Sequence, residues 1–297
     1  MKNDVYAHPE QWIADCDADF NRRLKEIAAS IAQRDHLKFI CLTGPTCSGK
    51  ATASNLFIHQ LKEYGKTVHL VSIDDFYYDK EYLHQKAEME GRQTPDYDSV
   101  HTIDLKELSV FVESSVCVGE CRFPIFDFTK GKRTGYQSIF CKKDDLFIME
   151  GIQVLYPEVH ALLDAYPSLG IYIAPESTIQ INGQTFLPNE IRLMRRLVRD
   201  YKFRGTMPEQ TFEMWDSVRD NEEKNIFPYT DLCALHIDST MPYEIGVLKP
   251  YLNQILPTVP EESPHKQQAE KILERIEGIL SVSDRYIPSD SLYKEFI

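Results

Sequence analysis

Apolar residues Ile13, Cys16, Phe20, Leu24, Ile27 and Ile31 recur at steps of three and four along residues 10–34, which predicts one helix with a single apolar stripe, opened by Pro9 and docked on a core. The pattern then changes. LKFICLTG (37–44) is a short run of strand formers ending at a glycine-rich turn, and 49–63 returns to helical spacing. TVHLVSIDDF (67–76) and DLFIMEGI (145–152) are apolar runs that end in carboxylates, as buried parallel strands do at their C-terminal edges; GIYIA (170–174) and CALHID (233–238) bring the set to five. CRFPIFDF (121–128) and GYQSIFCKK (135–143) flank the turn TKGKRT and predict an inserted β-hairpin. From about residue 240 the chain is mostly helical, with a helix start at Ser263 and Pro264 and an apolar face of Ala269, Ile272, Leu273, Ile276, Ile279 and Leu280. Strands alternating with helices predict a three-layer α/β domain with a parallel sheet. The expected division is a packed N-terminal helix (1–36), the α/β domain (37–240) and a helical C-terminal extension (241–297) that serves packing.

Composition narrows what such a domain binds. In 297 residues, 46 acidic side chains face 33 Lys and Arg, a net charge of −13. A chain this negative lacks the field with which general nucleic-acid binders displace phosphate counterions, so no nucleic-acid partner is expected. A small anion in a local basic pocket fits. No run approaches the roughly 20 apolar residues that cross a bilayer, and the start MKNDVYAHPEQW has no apolar core before a cleavage site. A cytoplasmic protein without a membrane partner is therefore expected. The seven cysteines (16, 41, 47, 117, 121, 141, 233) are odd in number and scattered, which suits a reducing compartment. Cys117 and Cys121 have no second ligand pair nearby and are read as buried thiols rather than a zinc site.

The segment Gly44, Pro45, Thr46, Cys47, Ser48, Gly49, Lys50, Ala51, Thr52 lies between a predicted strand and a predicted helix and satisfies GxxxxGK. Glycines let successive N–H groups point at phosphate oxygens, the helix N-terminus adds its dipole, and Lys50 neutralises the outer phosphates. The hydroxyl that commonly ligates Mg²⁺ directly after the lysine is missing, because Ala51 stands there and Thr52 comes one residue later. At the end of the second strand Asp74 and Asp75 point to opposite sides if still extended, so at most one of them faces the loop, as a base or a Mg²⁺ ligand; taken alone, such a pair is more often a helix cap. Glu150, after LFIM, stands where an acidic residue reaches Mg²⁺ directly or through water. In EIRLMRRLVRDYKFRG (190–205), Arg192, Arg195, Arg196 and Arg199 fall within an arc of roughly 100° at helical spacing. All four can address one anion, and triphosphate is the anion the loop predicts; a solvated face balanced by acidic neighbours is the alternative. Cys47, close to a helix N-terminus that lowers thiol pKa, suggests a redox switch unless its side chain points into the core.

The order of these motifs, with DDFY, PIFDF, EG and RLMRRLVRDYKFRG, resembles the uridine kinase and phosphoribulokinase family of P-loop kinases over about residues 38–240. SVRDNEEKNIFPY (217–229), YEIGVLKPYL (243–252) and IPSDSLYKEF (287–296) look like a bacterial subgroup with a longer C-terminal region. The resemblance implies ATP and Mg²⁺ as cofactors and a small-molecule hydroxyl as acceptor, most simply a nucleoside 5′-hydroxyl. It makes Asp74 the catalytic base, Glu150 and Asp74 the carboxylates near the metal, Tyr77 and Asp98 the contacts to the acceptor sugar, and Phe126 and Phe128 the aromatic pair near the base. The stretch from Arg192 to Arg204 becomes an arginine-rich lid over the phosphates, with Lys50 and Arg192 stabilising the transferred charge and Arg192 also reaching the acceptor. Three departures stand out: Ala51, Gly131 where a base-reading His is usual, and Thr206 in place of the last Arg of RGR. They leave open another sugar-like or riboside acceptor, or a nucleotide sensor with impaired catalysis. Homo-oligomer formation is also open.

Overall fold

The computed structural model describes residues 8–92, 94, 95, 97 and 99–297. The first half runs α1 (Pro9–Ala32), β1 (Phe39–Thr43), α2 (Lys50–Glu63), β2 (Val68–Ser72), α3 (Lys80–Met89), α4 (Leu105–Ser115), β3 (Gly119–Asp127) and β4 (Lys132–Cys141). There follow β5 (Leu146–Glu150), α5 (Pro157–Asp164), β6 (Ser168–Ala174), β7 (Ile179–Ile181), β8 (Gln184–Phe186), α6 (Pro188–Arg204), α7 (Pro208–Asn225), β9 (Leu235–Asp238), α8 (Glu244–Ile255) and α9 (Lys266–Glu277). The main sheet has the order β2-β5-β1-β6-β9, and every pair in it is parallel.

Side chains alternate across a strand, so a central strand buried on both faces feeds two cores. Along β1, Ile40 and Leu42 join one apolar cluster while Phe39 and Cys41 join the other. The first cluster takes in Phe20 of α1, Phe57 and Leu61 of α2, Leu197 of α6 and Leu248 of α8. The second holds Phe111 of α4, Val159 of α5 and Phe123 of the β3–β4 hairpin. This is the expected three-layer arrangement. Each fully buried Phe or Leu contributes about 1.5–3 kcal/mol, so α2, which carries the phosphate loop, is held firmly by Phe57 and Leu61, both inaccessible to solvent.

Four local differences from the sequence pattern matter. β2 stops at Ser72, whose hydroxyl accepts from the Asp74 N–H at 3.3 Å and turns Ile73–Phe76 into a 3-10 turn rather than the end of a strand. α9 starts at Lys266, after Ser263 Oγ accepts from the His265 N–H at 3.2 Å. β7 and β8 form a hairpin that three-residue strands were too short to announce by periodicity, although Asn182 and Gly183, both at positive φ, are its turn signal. Lastly, residues 241–297 are more than an outer layer: Val247, Leu252, Ala269, Leu292, Tyr293 and Phe296 share one cluster with α1, α2 and α6. Among the described residues no helix is long and apolar enough to cross a membrane.

Candidate active site

β1 is the middle strand, and the chain leaves it for β2 on one side and later returns to β6 on the other. Open parallel sheets present their crevice at such a switch point, beyond the strands' C-terminal ends. A cavity of about 400 Å³ lies there, within the size range of small-molecule sites. The phosphate loop forms one wall, with Thr46, Cys47, Lys50 and Ala51 lining it. Gly49 sits at φ +94°, and a Cβ added there would stand 2.4 Å from Leu292 Cδ1, so both the backbone angle and the space require glycine. Lys50 Nζ donates to the carbonyls of Gly44 (2.8 Å) and Pro45 (3.0 Å), folded over its own loop. Gly49 has no side chain of its own to cap α2, and Glu295 meets the first turn only at the Thr52 N–H, at 3.4 Å, which leaves the preceding amides to receive an anion. Pro45, Ser48 and Thr52 complete the loop; Ser48 is buried and its hydroxyl has no hydrogen-bond partner among the described residues.

Two carboxylates face Lys50 across the cavity. The 3-10 turn after β2 separates the neighbouring aspartates. Asp74 lines the cavity, whereas Asp75 accepts from the Phe126 N–H at 3.0 Å and ties the β3–β4 hairpin to the sheet. Asp74 Oδ1 accepts from Gln153 Nε2 at 2.6 Å, and the same amide nitrogen donates to Tyr77 Oη at 2.6 Å. Burial raises the Asp74 pKa above the ordinary carboxylate value, partly opposed by the Gln153 bond, the Lys50 charge and Tyr77. Glu150, at the C-terminal end of β5, is raised by the same cause; Lys50 lowers it, while Asp74 and Glu295 raise it further. Among the described residues, Glu150 has neither a hydrogen bond nor an ion pair through its side chain.

One side of the cavity is aromatic. Tyr77, Phe126 and Phe128 stand with ring centroids 5.9, 6.4 and 5.1 Å apart, edge to face. Tyr77 and Phe128 line the cavity and Phe126 supports them from behind. Gly131 closes the hairpin turn at φ +65°, and a Cβ there would meet Lys80 Cδ at 2.4 Å. A side chain at 131 would have to adopt this left-handed backbone and displace the Lys80 stem. Asp98 lies outside the described residues.

The arginine face requires a correction. Arg192 is 1% exposed and makes two bonds to Glu222, at 2.6 and 2.7 Å. Arg195 is fully buried; it binds Glu244 at 2.6 and 3.0 Å and donates to Cys47 O at 3.2 Å. Both lie under the loop rather than in the cavity, because the acidic chain supplies interior partners that satisfy them. The cationic wall is instead Arg196, Arg199 and Arg204. All three share one buried carboxylate, Asp200, at 3.2, 2.8 and 3.5 Å. Three guanidinium groups against Asp200 make this wall cationic, offset in part by Glu295, whose charge acts on Arg199, and such a wall suits a polyphosphate. Gln153 and Glu295 were absent from the expected site, and Arg204 was expected only as the end of the lid stretch. Arg204 continues the i, i+4 row of Arg196 and Asp200, which was its signal.

Cys47 also differs from expectation. It is 3% exposed and burial raises its thiol pKa, so the helix N-terminus does not activate it. Peroxide or an alkylating reagent applied to the folded protein should modify the exposed Cys117 first and leave Cys47 intact. Peptide mapping by mass spectrometry reads this, and early labelling at Cys47 would show that the loop opens.

The residues present fit Mg²⁺ only in part. Among the described residues no three His, Cys, Asp or Glu side chains already form a cation site. A phosphoryl-transfer Mg²⁺ takes one or two carboxylates and completes its shell with phosphate and water, and the unpaired Glu150 beside Lys50 suits that role.

The Phosphoribulokinase / Uridine kinase family model matches residues 39–243. A uridine kinase of Clostridium novyi is 25% identical over 251 residues, covering 82% of this chain and 96% of the relative. One of Lactobacillus helveticus is 27% identical over 167 residues, covering 56% and 69%. The phosphoribulokinase of Rhodobacter spheroides superposes with a TM-score of 0.46 at 17% identity, covering 67% of this chain and 68% of that one. Because the matched span runs from β1, through the phosphate loop, Asp74, Glu150 and the arginine wall, to the edge of α8, the chain belongs to the Phosphoribulokinase / Uridine kinase family of ATP-dependent kinases.

Proposed function

We propose that the protein transfers the γ-phosphoryl group of ATP to the 5′-hydroxyl of a nucleoside. The observation that carries this is the placement of Asp74 on the cavity wall between Lys50 and the Tyr77–Phe128 aromatic edge. An acceptor stacked on those rings presents its hydroxyl to a carboxylate that a hydrogen bond from Gln153 holds in position. Asp74 accepts the hydroxyl proton as the oxygen attacks. Lys50, the loop amides and Arg196, Arg199 and Arg204 stabilise the charge that spreads over the moving phosphoryl oxygens. Mg²⁺, when bound with Glu150 among its ligands, neutralises part of the same charge. The relatives named uridine kinase support the nucleoside assignment.

Gly131 favours a second acceptor class. With no side chain at that turn, base selection through it is absent, and a site without that hydrogen bond discriminates weakly. Another riboside or a sugar-like polyol would then be accepted. Turnover with ATP and Mg²⁺ against uridine, cytidine, purine nucleosides, other ribosides and simple polyols decides between them. The expected product is a nucleoside 5′-monophosphate. Phosphorylation of polyols with none of the nucleosides would overturn the nucleoside reading.

A further inference from the structure

The phosphate loop rests on a segment from the far end of the chain. Leu292, 1% exposed, fills the space that a Cβ at Gly49 would need. Tyr293 and Phe296, both fully buried, hold the Arg195 guanidinium, with centroid distances of 5.7 and 4.7 Å, and that guanidinium donates to Cys47 O. Between these anchors Glu295 enters the cavity. Its Oε2 accepts from the Thr52 N–H at 3.4 Å and from Thr52 Oγ1 at 3.3 Å. A carboxylate thus rests on a first-turn amide of α2, where an anionic ligand also binds. Among the described residues no lysine, arginine or histidine forms an ion pair with Glu295 or with Glu150.

Two carboxylates without a direct ion pair among the described residues therefore share the cavity with the phosphate loop; Lys50 acts on Glu150 and Arg199 on Glu295 only through space. An incoming polyphosphate adds negative charge to the same partly desolvated cavity, where repulsion from both carboxylates is stronger than in water. A cation brought in with the phosphates relieves it. The buried neighbours on either side keep the Glu295 backbone in place, so swinging the side chain aside would not remove its charge from the vicinity.

We propose that Glu295 is a specificity residue of the nucleotide site: by placing a fixed negative charge at the N-terminus of α2, it makes the site select nucleotide complexed with a divalent cation over metal-free nucleotide. The inference rests on the kinase reading given above. It does not require Glu295 to ligate the metal.

The test is binding of a nonhydrolysable ATP analogue, measured by calorimetry on the full chain, once with excess Mg²⁺ and once with EDTA. Glu295→Gln keeps the carbonyl that accepts from Thr52 and removes the charge. The ratio of the Kd in EDTA to the Kd in Mg²⁺ is expected to fall by about tenfold or more, chiefly because binding without metal tightens. Glu295→Ala should move it in the same direction, and Glu63→Gln, the same charge change at the exposed far end of α2, should leave it as in wild type. A ratio within threefold of wild type in both Glu295 variants overturns the proposal. So does a fall caused only by weaker binding in Mg²⁺, the result for a metal ligand. If the wild-type protein bound no analogue under either condition, the kinase reading itself would fail; normal wild-type binding with an unmoved ratio rejects only the role of Glu295.

Discussion

Replacing Asp74 by Asn is expected to lower kcat by about 10²–10⁴-fold while leaving binding of the ATP analogue within a few-fold of wild type. Asparagine keeps the shape and can still accept from Gln153, so only the proton acceptor is lost. The carboxylate must be ionised to work, and burial raises its pKa. The rate should therefore fall as pH drops through a value above the ordinary carboxylate range. Replacing Gln153 by Leu removes the donor that stabilises the ionised form, which moves this acidic limb to higher pH. The stability sign runs the other way. A carboxylate with a raised folded-state pKa contributes stability below its unfolded pKa and loses that contribution as pH rises through the folded one. At neutral pH the Asn variant should melt no lower than wild type, and higher where the charge was costly. Wild-type turnover in the variant would reject the base role; loss of turnover together with a collapsed melting temperature would point to structural damage instead.

The Arg195→Leu variant should lose about 3–5 kcal/mol of stability, because it leaves Glu244 as an uncompensated charge in the interior. Neither side chain of the pair has any solvent exposure. The whole stability of a domain is of the order of 5–15 kcal/mol, so the single variant should be close to unfolding at growth temperature. Changing both residues to Leu removes the orphaned charge and should recover much of the loss in a urea titration. Nucleotide affinity should stay reduced in the double variant, since Cys47 O has still lost its donor and the rings of Tyr293 and Phe296 their cation. A single variant as stable as wild type would show that water reaches the pair.

What could be read from the chain was what neighbouring residues encode together. β1 and the loop were legible because strand formers, glycines and a helical spacing follow one another within about twenty residues. The hairpin and the Glu150 strand end were legible for the same reason. Periodicity placed the arginines of α6 on one side, yet it could not say what that side met. The partners that occupy Arg192 and Arg195 lie 30 and 49 residues further on, in α7 and at the start of α8, and nothing local marks them as interior carboxylates. Asp74 and Asp75 were expected on opposite faces of a strand. They are in fact separated by a 3-10 turn that one serine hydroxyl initiates. Glu295 was out of reach of any local pattern, as its contact with Thr52 spans 243 residues.

That span also sets an order of events during synthesis. At about 5–20 residues per second, a ribosome needs roughly 12–50 seconds to pass from Thr52 to Glu295. For that time the loop has its strand and its helix but lacks Leu292 beneath Gly49 and the aromatic pair around Arg195. The nascent kinase domain passes through a stage in which its sheet can form while its nucleotide site has no floor, and a chaperone or an early-bound nucleotide would have its largest effect on folding yield within that interval.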